Sequence, residues 1–210
     1  MKPVDEARRM ILDSAHRLGA ETVFLRDAEG RVAARAVTSR RNLPPRDNSA
    51  MDGYGLRAAD IAAANETDPV ALTVTGRVLA GDIAHDRAPL EAGQAVRIMT
   101  GAQIPPGVDC VVMRENTDET EVQEGAGTVR IKKAEPVGCA IRKRGEDLAR
   151  DGVVIHPGDV ITPARVNLLA QAGHATVDVA RRPQVAILAS GNELREVGTP
   201  ATDDDIVNSN

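Results

Sequence analysis

Phe24 and Tyr54 are the only aromatic residues in a chain of 210. Any core must therefore be built from Val, Ile, Leu and Ala, close-packed through many small contacts rather than around a few large anchors. Hydrophobic residues make up 42% and charged residues 27%, the balance of a folded globular chain rather than a disordered one. The shortage of rings removes the platforms on which proteins stack single-stranded nucleic acid. A net charge of -5 argues further against a nucleic-acid surface. The length allows one large or two modest domains.

Cys110 and Cys139 form neither a CxxC pair nor a zinc spacing, so two thiols in a reducing compartment, or one disulfide, are the readings open to them. The first 19 residues carry charges through their apolar positions, unlike a signal or transit peptide. No apolar run approaches the roughly 20 residues that span a bilayer. The expectation is a cytoplasmic protein with no membrane partner.

Val4, Ala7, Ile11, Ala15 and Leu18 recur at helical spacing, which predicts an amphipathic helix over 4–18 stopped by Gly19. Strands are predicted at 22–25 and 32–37, with a turn at 27–30. Residues 39–55, SRRNLPPRDNSAMDGYG, read as a long polar loop, because Pro44 and Pro45 disfavour pairing and Asp47, Asn48, Asp52 and Gly53 form turns. A short helical stretch at 56–64 precedes strands at 70–74, 94–99, 109–113 and 128–131, with a hairpin turn at 124–127. Thr162-Pro163 suits the start of a helix reaching Gly173, with Val166, Leu169 and Ala170 as its buried stripe, and a strand follows at 176–179. PQVAILASGNEL at 183–194 reads as a fully buried strand entering a glycine loop, as at the start of a parallel α/β domain. Only 16 residues follow Leu194, too few for a crossover and a second parallel strand, so the chain is expected to be cut where a domain begins.

Four loop segments put polar side chains beside glycines: 47–54, 99–107, 142–147 and 190–193. Carboxylates in such loops hold Mg²⁺ together with substrate phosphates. Hydroxyls and backbone N–H groups hold phosphate or an oxyanion, and Arg142, Lys143 and Arg144 add cationic charge. The same residues also fit a blander reading, in which Asp and Asn cap turns and the basic run is a solvated face. There is no Walker A loop, dinucleotide GxGxxG or HExxH motif. His16, His85, His156 and His174 are scattered without ligand spacing and read as surface or structural histidines. Ser190 is not in a GxSxG elbow.

LPPRDNSAMDGYG at 43–55 resembles the characteristic loop of molybdopterin molybdenumtransferases, shared with the C-terminal domain of gephyrin-type proteins. AVRIMTGAQIPPGVDCVVMREN at 95–116, IRKRGEDL at 141–148 with GDVITPARVNLLAQAG at 158–173, RRPQVAILASGNEL at 181–194 and IVNSN at 206–210 resemble further blocks of that family, in the same order. The resemblance implies catalytic positions at Asp52, Thr100, Asp147 and Glu193, with Glu193 also a metal ligand. It places substrate-binding positions at Ser49, Gly101, Ser190 and Gly191.

It implies insertion of molybdate into adenylylated molybdopterin with Mg²⁺ and release of AMP, by a homodimer whose cleft lies between domains of two subunits. A molybdopterin adenylyltransferase is an implied partner. The fold class it implies is α+β and multidomain. Residues 1–39 join 152–181 in a small mixed domain, a β-rich domain over 40–151 is inserted, and 182–210 begin a truncated α/β molybdopterin-binding domain. As a fragment the chain is expected to be inactive alone. One departure is Asn192, where the family usually has Asp, which removes a negative charge beside Glu193. The alternatives are a non-catalytic dimerisation or scaffold module and, less supported, a Mg²⁺-dependent phosphohydrolase built on Asp52 and Asp147.

Overall fold

The structure, a computed structural model, describes residues 2–16, 18–123, 125–200 and 202–209. Helix α1 is Val4–Ser14, followed by strands β1 Ala20–Phe24, β2 Val37–Thr38, β3 Asn48–Ser49 and β4 Gly53–Leu56. Strands β5 Val70–Val78, β6 Gln94–Ile98, β7 Cys110–Met113, β8 Thr117–Gln123 and β9 Ala126–Ile131 come next. Then follow β10 Ile141–Arg142, β11 Val153–Ile155, helix α2 Pro163–Gln171, β12 Thr176–Ala180, β13 Leu194–Arg195 and β14 Ile206–Val207. The described chain is thus mostly β with few helices.

The centre is a six-stranded sheet in the order β7-β4-β6-β5-β9-β8, antiparallel except where β5 runs parallel to β6. Side chains alternate across a strand, and β4 shows the consequence. Tyr54 and Leu56 enter a core with Ile61, Leu72, Val74, Val112, Val129 and Ile131. Gly55 lies against the opposite core, where a Cβ would meet Val108 and Val96 at 3.1 and 3.3 Å. The register between β5 and β6 shifts between Val74 and Arg77. Gly76, with φ 146°, sits in that irregularity. A bulge of this kind redirects the side chains beyond it, and Val78 accordingly joins Val96, Ile98 and Val111 instead of following Val74.

A third core holds Leu25, Ala28, Ala33, Ile155, Ile161, Leu169, Val177 and Val179. It is closed by antiparallel pairing of β1 with β12 and of β2 with β11, strands far apart in sequence. The buried Arg31 guanidinium bonds Glu21 and the Ala180 carbonyl across this pairing. Each fully buried Leu or Ile contributes about 1.5–3 kcal/mol of transfer free energy. That is how an almost ring-free chain sustains three cores.

Several expectations need correction. The first helix ends at Ser14 rather than Leu18, because Ala15 turns extended; Arg17 lies outside the described residues. No residue of α1 is buried, and Val4, Ile11 and Leu12 are exposed. The strand expected at 32–37 is broken into bridges at Val32 and Ala33 and a short strand at Val37–Thr38. The helical stretch at 56–64 is a single 3-10 turn, Ala58–Ile61. In α2 the N-cap at Thr162 and Pro163 at the first turn are as expected, but Ala170 faces out and Ala172 is buried in its place.

β8 was missed because TDETEVQ lacks an apolar alternation; it is an edge strand, where charged side chains are normal. Its hairpin with β9 turns near 124–125, as expected, with Glu124 outside the described residues. The buried strand expected from 183 to 194 does not form. Residues 181–191 are irregular, and Val185, Ile187 and Leu188 are 78, 74 and 94% exposed. A parallel strand needs neighbours on its edges and cover on both faces. Among the described residues only Arg181 is tied back, its N–H donating to Gly19 O at 2.9 Å. No strand pairs with 183–193, while β13 pairs in parallel with β14, a second parallel strand that the 16 residues after Leu194 were not expected to supply.

Candidate functional site

The residues that read as a loop over 39–55 are threaded between two other loops. On one side Ser49 N–H donates to Ala102 O (2.9 Å), Gly101 N–H to Ser49 O (2.8 Å) and Ile104 N–H to Asp47 O (3.1 Å). On the other side β3 pairs with β10, and Ala50 N–H donates to Ala140 O at 2.9 Å. Gly101 has φ 79°, a left-handed conformation that glycine adopts without strain, and it allows the sharp turn after β6. Three of the four polar segments of the sequence thus converge at one end of the sheet.

Asp52 stands immediately before β4, and its backbone oxygen accepts from Arg114 N–H at 3.1 Å. Its Oδ1 accepts from both the backbone N–H and the hydroxyl of Thr100, each at 2.7 Å. The side chain is exposed, and Oδ2 has no hydrogen-bond partner among the described residues. The Thr100 backbone N–H, then its hydroxyl, hold the carboxyl below the usual aspartate range, with Arg97 and Arg114 adding to the effect. A carboxyl with a lowered folded pKa stabilises the fold above its unfolded pKa and loses that contribution as pH falls through the folded value. We expect carbon-detected NMR titration of the Asp52 carboxyl to give a midpoint below that of an ordinary aspartate. We also expect the shift to shrink, but not to vanish, in Thr100→Val, which loses the hydroxyl and keeps the backbone N–H, the larger cause; complete insensitivity to Thr100→Val would contradict the hydroxyl contact.

The other predicted positions have distinct surroundings. Asp147 pairs with Arg142, which also bonds Glu146. Its backbone N–H donates to Leu43 O at 3.0 Å, which ties its loop to the start of the 43–55 segment. Asp47 accepts from Arg144 N–H (2.8 Å) and from Lys143 Nζ (3.0 Å), the first more than the second holding its carboxyl low. Of the three basic residues proposed to meet phosphate, Arg142 and Lys143 are therefore held by carboxylates. The Arg144 guanidinium has no ion-pair partner among the described residues. Ser49 is buried, and its hydroxyl donates to Met51 O at 2.6 Å, fixing the turn that aims Asp52.

Ser190, Gly191 and Glu193 lie together on the exposed segment before β13. A Cβ on Gly191 would fall 2.4 Å from a Glu193 carboxylate oxygen, so glycine lets that carboxylate fold back over the chain. This segment bonds to itself, with Leu194 N–H on Gly191 O and Ile206 N–H on Glu193 O. No hydrogen bond among the described residues brings it to the Asp52 cluster.

A charged network that the sequence reading passed over lies beside Asp52. The buried Tyr54 hydroxyl donates to Glu119 Oε2 at 2.8 Å, and Arg97 bonds both Tyr54 and Glu119. Arg114 reaches the other oxygen of Glu119, and the Arg97 guanidinium lies 5.2 Å from the centre of the Tyr54 ring. Burial pushes Glu119 up, but the Tyr54 hydroxyl, Arg114 and Arg97 outweigh it and leave the carboxyl lowered. The available signal was an arginine inside the otherwise apolar run AVRIM. Elsewhere, burial, with the nearby Cys139, pushes the Cys110 thiol up to about 12, and both cysteines are free thiols.

No group of three or more His, Cys, Asp or Glu among the described residues is placed to share a metal ion. Asp52 and Asp147 are engaged by different partners and do not form a ready-made two-carboxylate site. Among the described residues no helix is long and apolar enough to cross a membrane.

A chain with this sheet and this loop cluster is of a recognised class. It belongs to the family described as MoeA N-terminal region (domain I and II), whose model matches residues 2–173. Among curated proteins it is similar to the molybdopterin molybdenumtransferase of Bacillus subtilis, 39% identical over 208 residues, covering 99% of this chain and 48% of that protein. It is also similar to that of Haemophilus influenzae, 36% identical over 211 residues, covering all of this chain and 50% of that protein. A solved structure of the molybdopterin biosynthesis moeA protein from Pyrococcus horikoshii superposes with TM-score 0.86 at 32% identity, covering 99% of this chain and 54% of that one. The chain spans about half the length of the curated relatives it matches.

Proposed function

We propose that this chain supplies one wall of an active site that inserts molybdenum from molybdate into adenylylated molybdopterin, releasing AMP, in molybdenum cofactor biosynthesis. The observation that carries the reading is the Asp52–Thr100 pair, set by three converging loops within the segment matched to the family. On this reading the chain divides into a mixed domain of residues 1–39 and 152–181, an inserted β-rich domain over 40–151, and the beginning of another domain from 182.

Thr100 fixes one oxygen of Asp52 and leaves the other facing outward as a charged acceptor. A single carboxylate oxygen suits Mg²⁺, which takes one or two carboxylates beside substrate phosphates. Bound there, the ion would offset charge on the phosphoanhydride. Asp52 would orient an attacking or leaving group, and positioning is the large part of such catalysis. Arg144 is available to meet a phosphate oxygen, and Ser49 acts by holding the turn. Glu193, with Ser190 and Gly191, would belong to a facing wall. The adenylylated substrate would come from a molybdopterin adenylyltransferase.

The test is a chimera in which residues 1–210 are continued by the remaining half of the Bacillus subtilis relative. Given adenylylated molybdopterin, molybdate and Mg²⁺, it should release AMP at a rate comparable to the relative's own. A folded chimera that leaves the adenylate intact would sink the proposal.

Assembly follows from α1. Its apolar positions Val4, Ile11 and Leu12 face solvent, as do Leu18 and Phe24 beyond it. Large apolar side chains exposed on a helix with no buried residue suit an interaction surface, and a homodimer is the occupant we propose. Sedimentation equilibrium at micromolar concentration should give a dimer mass, and Ile11→Glu with Leu12→Glu should return the monomer. A monomeric unsubstituted chain would contradict this. A scaffold role without catalysis is the reading that would remain if the dimer forms and the chimera does not turn over.

A further inference from the structure

A cleft of about 300 Å³ shares Gly101 and Asn48 with the loops that hold Asp52 and Thr100. Arg46 and Asn48 line it from the 43–55 segment, Gly81 and His85 from the turn after β5, and Gly101 and Gln103 from the loop after β6. Asp82 also lines the cleft, and its charge is offset by Arg87. Asp82 caps Leu79 N–H at 2.9 Å and pairs with Arg87, and Asp86 lies 3.3 Å from His85 Nε2.

Arg46 has no carboxylate partner among the described residues, and its one protein contact is Nη1 to His85 Nδ1 at 3.2 Å. Guanidinium N–H groups only donate, so in this bond His85 Nδ1 accepts, which leaves the 3.4 Å approach of Gln103 Oε1 to the same nitrogen without a proton, and the remaining Arg46 donors stay unused. Gln103 Oε1 accepts from Ala84 N–H at 2.9 Å, which turns its NH₂ group away from that bond and leaves it a donor without an acceptor among the described residues. Asn48 adds the opposite need: its Oδ1 is buried without any hydrogen-bond partner among the described residues. Buried polar atoms are nearly always paired, so an orphan acceptor beside unused donors points to a ligand. Glycines at 81 and 101 keep the mouth free of side chains, with no heavy atom within 4 Å of a Cβ at Gly81 and only Ala80 at 3.9 Å from one at Gly101.

We infer that this cleft is a subsite for a phosphoryl group attached to an organic moiety that donates a hydrogen bond. Arg46, and in a lesser part Gln103, meet the phosphate oxygens, since the planar fork of arginine matches them. Asn48 accepts from a hydroxyl or amide of the same ligand. The inference deepens the proposed function by naming a contact for the phosphate end of the substrate, and it rests on that reading for the identity of the ligand. Phosphate binding itself does not depend on it.

The probe is inorganic phosphate, titrated into the ¹⁵N-labelled 210-residue chain at constant ionic strength. Phosphate should shift the backbone amides of Gly81, His85 and Gly101. Arg46→Ala should weaken this binding about tenfold or more, the loss of one charge-assisted bidentate contact. Arg130→Ala, which removes an exposed arginine paired with Glu121, should leave it unchanged. Amide spectra that keep their dispersion show that Arg46→Ala has folded. No shift at these amides, or an equal shift in Arg46→Ala, overturns the subsite and leaves the Asp52 reading standing. Failure of the chimera to release AMP, with phosphate still bound through Arg46, overturns the reading of function and not the anion site.

Discussion

Asp52→Asn in the chimera should cut AMP release by about 10²–10⁴-fold, the range associated with a positioned acid–base or charged group. Asparagine keeps an oxygen in place of Oδ1, so both Thr100 hydrogen bonds survive and only the charge is lost. The side chain is exposed. Stability should therefore change by no more than about 0.5–1.5 kcal/mol, one ordinary hydrogen bond. Asp52→Ala would remove the same charge and the Thr100 acceptor together, and should lose more stability than Asp52→Asn at equal loss of rate. Near-wild-type AMP release in Asp52→Asn would make this carboxylate a structural cap and no more.

Gly53→Ala, one residue further along, should fail for a different reason and unfold the sheet. A Cβ there would stand 2.0 Å from the Val112 carbonyl oxygen and 2.9 Å from its carbon, backbone atoms of the adjacent strand. Gly53 has no left-handed φ, so alanine faces no conformational penalty and the whole effect is the clash. Neither atom can rotate away, since β4 and β7 are paired in register from Gly53↔Met113 to Leu56↔Cys110. Overpacking of a closed site costs typically 1–3 kcal/mol, and a clash with main chain belongs at or above the upper end. We expect a loss of about 3 kcal/mol or more in urea unfolding of the 210-residue chain, or recovery only as insoluble protein. A loss below about 1 kcal/mol would show that the β4–β7 pairing is looser than described.

These two residues also show what was legible in the sequence. Asp52 and Gly53 were visible as loop formers beside polar residues. That Gly53 opens a fully buried central strand was not, because GYGL carries no apolar alternation of its own and is held by what surrounds it. Strands β5, β6, β7, β9 and β12 announced themselves by their apolar β-branched runs, and the capped helix α2 by Thr162-Pro163. Short strands such as β3 and β10, two residues each, exist only as ladders between distant segments and leave no local pattern. The run VAILA at 185–189 erred the other way: its apolar character was clear, but a strand needs partners, and the described residues provide none there.

The site divides on the same line. Asp52, Thr100, Gly101 and Ser49 could be singled out and are found together, and Asp147 is tied to them through Leu43. The Arg97–Tyr54–Glu119–Arg114 network could not, because it joins four positions separated by up to 65 residues with no shared motif.

The central claim is that the Asp52–Thr100 wall serves transfer of molybdenum and not merely cleavage of an adenylate. The direct measurement is the molybdenum content of the pterin product, followed alongside AMP release by the chimera and its Asp52→Asn variant. The account predicts that molybdenum appears on the dithiolene in step with AMP, and that both fall together in the variant. AMP release at an undiminished rate with no molybdenum on the pterin, in either protein, would contradict it.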